Sequence, residues 1–194
     1  MKGLIIFLAI IVVIVIYFVT CYNGLIKGKN SVKEAFSTMD VYLKKRWDLI
    51  PNLVNTVKGY AKHESEVFTQ ISEARASAGG QINISDEVLS DPEAFARYQQ
   101  VQDNLGSSLQ RLLVVTENYP ELKADQNFLS LQDQLEGTEN RITVARQRYN
   151  DVARKYNTKV RSFPANIIAN MGGFEKKTYF AASAEAQSAP KVEF

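Results

Sequence analysis

Hydrophobic residues divide this chain into an apolar N-terminal run and a longer part with helical periodicity. Gly3–Ile26 contains no charged side chain, and Leu4–Val19 is apolar without interruption. At 1.5 Å per residue, a helix over residues 4–22 is roughly 28 Å long, close to the thickness of a bilayer's hydrocarbon core. The run therefore predicts a transmembrane helix over about residues 4–22, within a membrane anchor of residues 1–26.

A cleaved signal peptide and a lipoprotein are the alternatives to a retained anchor. The run is longer than the apolar region of a typical signal peptide, and the segment from Thr20 to Tyr22 does not match a small-residue cleavage site. Phe18 and Thr20 also fit poorly before a lipid-accepting Cys21. We therefore expect a retained, single-pass anchor.

Basic residues next to the run indicate its orientation. Lys2 and the terminal amine flank one side, whereas Lys27, Lys29 and Lys33 flank the other. Positive-inside counting favours an N-terminus outside the cell and a body in the cytoplasm.

The rest of the chain predicts helices. Four segments, near residues 32–50, 53–78, 95–119 and 128–156, repeat apolar residues at steps of three and four, and none shows the alternation of a strand. The fold class is therefore all-α: an N-terminal transmembrane helix, then an elongated antiparallel four-helix bundle with long, coiled-coil-like helices. The bundle domain spans residues 27–163.

The boundary between the first two body helices has two interpretations. Asp48 suits an N-cap, and Pro51 then lies in the first turn of the second helix, where its missing N–H costs little. A continuous, kinked helix is the alternative, because the connection has no Gly. In the first interpretation the boundary is a corner roughly 35–40 Å from the membrane.

The last predicted helix has a heptad pattern, which is typical of helices that pack along a seam. Its apolar positions alternate steps of three and four: Phe128, Leu131, Leu135, Thr138, Ile142, Ala145, Tyr149, Val152 and Tyr156. The seam fits either self-association into a homo-oligomer or packing inside a single bundle.

Residues 164–194 form a C-terminal tail. Its first half is apolar and fits either packing on the bundle or contact with the lipid interface. Its last dozen residues are rich in Ala, Ser and Gln, a composition that predicts disorder.

Composition excludes several functional classes. The net charge of +2 balances 23 basic against 21 acidic residues, so nucleic acid is not an expected partner. One Cys and one His exclude a disulfide framework and a multi-ligand Cys/His metal site. His63 and Glu64 lack the second His of a zinc-protease motif, since Val67 stands there. We expect no cofactor, no metal and no enzymatic activity.

Two charged clusters are candidate interaction sites, although a solvated helix surface is the ordinary meaning of such residues. The candidate interaction corner comprises Lys44, Lys45, Arg46, Trp47, Asp48, Pro51 and Asn52. The candidate membrane-proximal basic face comprises Lys27, Lys29, Arg154, Lys155, Lys159 and Arg161. The second cluster suits an anionic cytoplasmic leaflet, with the lipid bilayer as partner.

The stretch from Asp40 to Val54, DVYLKKRWDLIPNLV, with VKGY at residues 57–60 and His63-Glu64, resembles the LemA family. Further similar positions include Thr138–Ile142 and Phe163-Pro164. The resemblance implies a bacterial protein of the inner membrane, with a single span, a short outside N-terminus and a mostly four-helix body. It implies no enzymatic activity.

These features predict a membrane-anchored, non-enzymatic helical scaffold or organiser. It would act through self-association or through recruitment of a protein partner that the sequence does not identify. The alternative is a signalling or regulatory subunit that couples a membrane partner to the cytoplasm.

Overall fold

The structure, a computed structural model, describes residues 2–79 and 86–181. These residues form six helices and no strand, which confirms the all-α prediction. The helices are α1 (Lys2–Tyr60), α2 (Ser65–Gly79), α3 (Pro92–Thr116), α4 (Pro120–Lys123), α5 (Gln126–Arg161) and α6 (Ala165–Met171).

A single helix, α1, contains the apolar run, the first predicted body helix and the start of the second. Pro51 lies in its interior, so the predicted boundary at Asp48 is wrong and the continuous helix is the correct alternative. The chain turns instead at residues 61–64, where Lys62, His63 and Glu64 follow the last buried position of the apolar stripe, Ala61. The far end of the body is thus about 57 Å beyond Tyr22, at 1.5 Å per residue, and the candidate interaction corner is not a corner.

Contacts between side chains give the direction of each helix. Helix α5 runs antiparallel to α1, because Tyr60 bonds Asp125 at one end and Gly24 lies beside Lys159 at the other. Helix α2 returns along α1, and α3 runs antiparallel to α2. Since α1 includes part of the second predicted helix, α2 has only 15 residues. The predicted four-helix bundle is therefore not confirmed in its detail.

Two apolar clusters form the core of the body. The cluster nearer the apolar run is rich in aromatic side chains that pack on one another: Phe36, Phe95, Tyr98, Tyr149 and Phe180. The far cluster is mainly aliphatic and joins α1, α2, α3 and α5. Most of the heptad positions of α5 are buried in these clusters. The seam is therefore used within the chain, and it provides no argument for self-association.

Aspartates begin the long helices α3 and α5. Asp91 accepts hydrogen bonds from the first backbone N–H groups of α3, and Asp125 does the same for α5. Asp125 also accepts a bond from the Tyr60 hydroxyl at 2.9 Å, which ties the start of α5 to the end of α1. The backbone N–H of Phe128 and this hydroxyl lower the pKa of Asp125.

The described part of the tail packs on the bundle. After α6 the backbone is extended. Side-chain amides of the body form hydrogen bonds with both the N–H and the C=O groups of this extended segment. Asn157 pairs with both backbone groups of Lys177 at 2.7 and 2.8 Å, and Asn150 pairs with both groups of Phe180 at 3.0 and 2.9 Å. Gln99 does the same at residue 181. The predicted disorder of the last dozen residues lies outside the described ranges.

Candidate functional site

The structure distributes the predicted interaction corner over three sides of α1. Lys44, Lys45, Asp48 and Asn52 are exposed, while Trp47 and Pro51 are half-buried. Lys44 pairs with Asp48 at 3.1 Å on the open surface, a contact of small energetic value. These residues do not converge on one external site, and whether the exposed ones bind a partner stays a prediction.

Arg46 is interior, with 2% of its surface exposed. Its Nη2 donates to the Gln102 side-chain oxygen at 2.6 Å and to the Gln102 carbonyl at 3.2 Å. Its Nη1 donates to the Glu139 carboxylate at 3.2 Å. A buried guanidinium needs such partners because leaving it unpaired would be costly. Arg46 therefore joins α1, α3 and α5 in a polar layer.

Pro51 provides a docking point for α2. Proline has no N–H, so the carbonyl four residues earlier, that of Trp47, loses its bond within the helix. Arg75 of α2 donates from Nε to that carbonyl at 3.3 Å, and the Trp47 indole donates in return to the Arg75 carbonyl at 3.1 Å. The Arg75 guanidinium also lies 3.6 Å from the centroid of the Trp47 ring. Trp47 and Pro51 thus hold two helices of this chain together.

No pattern in the sequence predicts the partners of Arg46 and Trp47. Gln102, Glu139 and Arg75 lie on other helices, and no spacing in the sequence connects them with Arg46 or Trp47.

The predicted basic face is assembled at one end of the body. Because α1 and α5 are antiparallel, Lys159 lies beside Gly24, and Lys27, Lys29, Lys155 and Arg161 are exposed nearby along the same two helices. Arg154 differs from the others, since it pairs with Asp151 at 2.6 Å. Lipid binding by this face stays a prediction.

Helices α1 and α5 leave an open groove between them on one side of the body, which we call the α1/α5 groove. It has a volume of about 270 Å³ and is lined by Thr38, Tyr42, Asn140, Arg141, Val144, Ala145 and Arg148. Val144 is well exposed in it, and the Arg141 guanidinium lies 5.8 Å from the Tyr42 ring centroid. The α1/α5 groove combines apolar and cationic groups, and the sequence alone does not indicate a site here.

The described residues show no group that suits metal binding. No cluster of three or more His, Cys, Asp or Glu side chains occurs among them. His63 is exposed in the turn after α1, and Glu64 accepts a bond from the Tyr119 hydroxyl at 3.2 Å. That bond gives the carboxylate a structural partner at the far end of the body.

One helix in the described chain is long and apolar enough to cross a bilayer, and it is α1. The large apolar side chains from Leu4 to Val19 are all substantially exposed, so the body does not cover them. Burial begins at Cys21 and Leu25. The candidate span and the packed body therefore meet within about one helical turn.

Known proteins with similar sequences include magnetosome proteins. The chain is 26% identical to magnetosome protein MamQ of Magnetospirillum gryphiswaldense over 192 residues, which cover 89% of this chain and 71% of that protein. Magnetosome protein MamQ 1 of Paramagnetospirillum magneticum is 26% identical over 174 residues, covering 82% of this chain and 64% of the relative. These names denote no enzyme.

A third relative carries a different name. Protein LemA of Metamycoplasma hominis is 24% identical over 147 residues, covering 76% of this chain and 63% of the relative. The chain thus spans a little under two thirds of the length of several of these relatives.

The family comparison covers most of the chain. The pattern of the LemA family matches residues 35–194, a range that includes the Arg46 layer, the Trp47–Pro51 docking point and the whole of α5. The match agrees with the resemblance of the stretch from Asp40 to Val54. The chain belongs to the LemA family.

Proposed function

We propose that this protein is a non-enzymatic, single-pass scaffold of the bacterial inner membrane that presents a stiff helical body to partner proteins in the cytoplasm. The observation that carries the proposal is the continuity of α1. Its apolar run and the central helix of the body are one element, so no linker separates anchor from body. Such an arrangement suits holding a surface at a set distance from the bilayer.

Membrane insertion is supported by the exposed run from Leu4 to Val19. Proteins in water rarely expose a continuous apolar surface of this extent, whereas a bilayer solvates it. The helical run also satisfies its own backbone hydrogen bonds, as hydrocarbon requires. Lys27 and Lys29 follow the run, which supports a cytoplasmic body.

The α1/α5 groove supports partner recruitment. Val144 offers an exposed apolar contact in it, while Arg141 and Arg148 line the same groove. A partner helix with apolar side chains flanked by carboxylates would match both features. A second copy of this chain is the competing occupant of the groove.

Site-specific photocrosslinking in cells tests the groove. A photoreactive residue at Val144 is expected to form a protein adduct that Arg141→Glu together with Arg148→Glu weakens. Val114 on α3 is the matched control, because its exposure is 66% against 64% for Val144. An adduct that is equal at both positions, or insensitive to the charge reversals, would contradict recruitment at the groove. Light scattering of the detergent-solubilised chain identifies a self-associating species.

Alkaline extraction of membranes tests the anchor. The full chain is expected to stay in the membrane fraction, and Val12→Asp together with Val15→Asp is expected to release it. A phosphatase or a fluorescent reporter fused at Phe194 then shows on which side of the membrane the body lies. Release of the unsubstituted chain from the membrane fraction at alkaline pH would contradict the proposed anchor.

A further inference from the structure

Helix α6 is apolar on two faces. Ala165, Ile168 and Ala169 are buried against α1 and α5. Ile167 and Met171 lie one turn apart on the other side of α6, with 52% and 73% of their surface exposed. One face is therefore explained by packing within the chain, and the other is not.

Phe163 extends the exposed face of α6. It precedes the helix, and 81% of its surface is exposed. We call Phe163, Ile167 and Met171 the α6 apolar patch. Large apolar residues in such a cluster are typical of a surface that contacts another apolar phase.

The α6 apolar patch lies at the level where the candidate span ends. The Tyr22 ring packs edge-on against Phe174, with ring centroids 5.5 Å apart, and a side-chain carbon at Gly172 would lie 3.2 Å from the Tyr22 ring. Tyr22 is three residues beyond Val19, or about 4.5 Å along the helix. The C-terminal end of α6 is thus next to the first helical turn after the apolar run.

Cationic side chains accompany the patch. Lys27, Lys29, Lys155, Arg161 and Lys176 are exposed on the segments that surround it. Asp151 pairs with Arg154 and Asp86 pairs with Lys33, while Glu175 and Glu87 are exposed carboxylates among these cations. Exposed apolar residues beside a cationic rim are the combination by which peripheral helices bind anionic lipid.

We propose that α6 and Phe163 insert into the headgroup layer of the same bilayer that α1 crosses, with anionic phospholipid as the ligand of the surrounding cations. This inference rests on the proposed membrane anchor. It adds a second contact with the membrane, so the bilayer sets the rotation of the body about α1 as well as its distance.

Environment-sensitive fluorophores on single cysteines test the proposal in the full chain. The background is Cys21→Ser, since Cys21 is the only cysteine. Labels at Ile167→Cys or Met171→Cys are expected to gain at least about twofold in emission when the chain passes from a short-chain detergent into vesicles of phosphatidylcholine and phosphatidylglycerol. Lipids with a quencher near the headgroup should reduce this emission more than lipids with a deep quencher.

Two further positions separate the possible outcomes. A label at Val12→Cys reports the anchor, and strong deep quenching is expected there. A label at Val144→Cys is the exposed control on the body, and no quenching is expected. If Val12 is quenched while Ile167 and Met171 behave like Val144, the α6 contact is wrong and the anchor stands.

If Val12 is not quenched, the anchor itself fails. If the α6 labels gain emission but no lipid-attached quencher reduces it, a second copy or another protein covers the patch. This result also overturns the inference. Replacing phosphatidylglycerol by phosphatidylcholine should weaken the shallow quenching at Met171, because the cations lose their ligand. No change on this replacement would contradict the role of anionic lipid.

Discussion

The docking point at Pro51 leads to a specific energetic prediction. In Arg75→Ala, the Trp47 carbonyl loses its guanidinium donor, and the indole loses the stacked cation. A hydrogen bond from a charged donor contributes about 1.5–3 kcal/mol, and a partly buried cation–π contact about 0.5–2 kcal/mol. Because the bond is long at 3.3 Å, we expect a total loss of about 2–4 kcal/mol in the free energy of unfolding.

The second substitution restores the missing donor. In Pro51→Ala, the new N–H bonds the Trp47 carbonyl within α1, so Arg75 is no longer needed there. The loss caused by Arg75→Ala should then fall by about 1–2 kcal/mol, leaving the cation–π contribution. The two changes are therefore coupled, and their separate effects do not add.

The assay compares the unsubstituted chain, Pro51→Ala, Arg75→Ala and the double variant. Each is unfolded by urea in the same detergent, and unfolding is followed by far-ultraviolet circular dichroism. Trp47 is the only tryptophan, and its emission reports the same contact directly. Arg97→Ala is the matched control, since Arg97 is exposed and forms only a 3.8 Å surface pair with Glu93. Additivity of Pro51→Ala and Arg75→Ala within about 0.5 kcal/mol would refute the compensation.

Three other results are expected. Arg46→Met should lower the free energy of unfolding by about 2–4 kcal/mol. Gln102→Leu should cost less in the Arg46→Met background than in the unsubstituted chain, because both buried partners are then apolar. Urea unfolding measures both effects. Asn157→Leu leaves both backbone groups of Lys177 without their partner, so hydrogen exchange at residue 177 should become faster while exchange in the interior of α3 does not change. The lowered pKa of Asp125 means that its stabilising effect is present above about pH 4, its ordinary range, and is lost as the pH falls through its lower folded value. The stability difference between the unsubstituted chain and Asp125→Ala should therefore be constant near neutral pH and shrink in acid, and a difference that grows in acid would contradict the assignment.

Features that depend on periodicity were predictable from the sequence. The apolar run, the stripes of α3 and α5 and the absence of strand alternation required only the spacing of apolar residues. The same spacing identifies the heptad positions of α5, but it fits a partner helix in another chain as well as one in this chain. Periodicity identifies the buried face of a helix but not what covers it.

The end of α1 was not predictable by the same means. A proline inside a helix costs about 3 kcal/mol relative to alanine, so local propensity favours a boundary near Pro51. The compensation comes from Arg75, 28 residues from Trp47 in the sequence, through contacts that exist only after α2 has folded back. The partners of Arg46 lie still farther away, at Gln102 and Glu139. The α6 patch was partly visible as an apolar tail, but its level beside Tyr22 required the structure.

The unbroken course of α1 makes the body a lever. In the proposed arrangement, in which the apolar run of α1 crosses the bilayer, a change in the tilt of that run is transmitted along the continuous helix to its far end. With about 57 Å between Tyr22 and Tyr60, a change of about 10° moves the turn at residues 61–64 sideways by about 10 Å. A change in bilayer thickness that alters the tilt of this proposed span would thereby change the position of a protein surface far from the lipid.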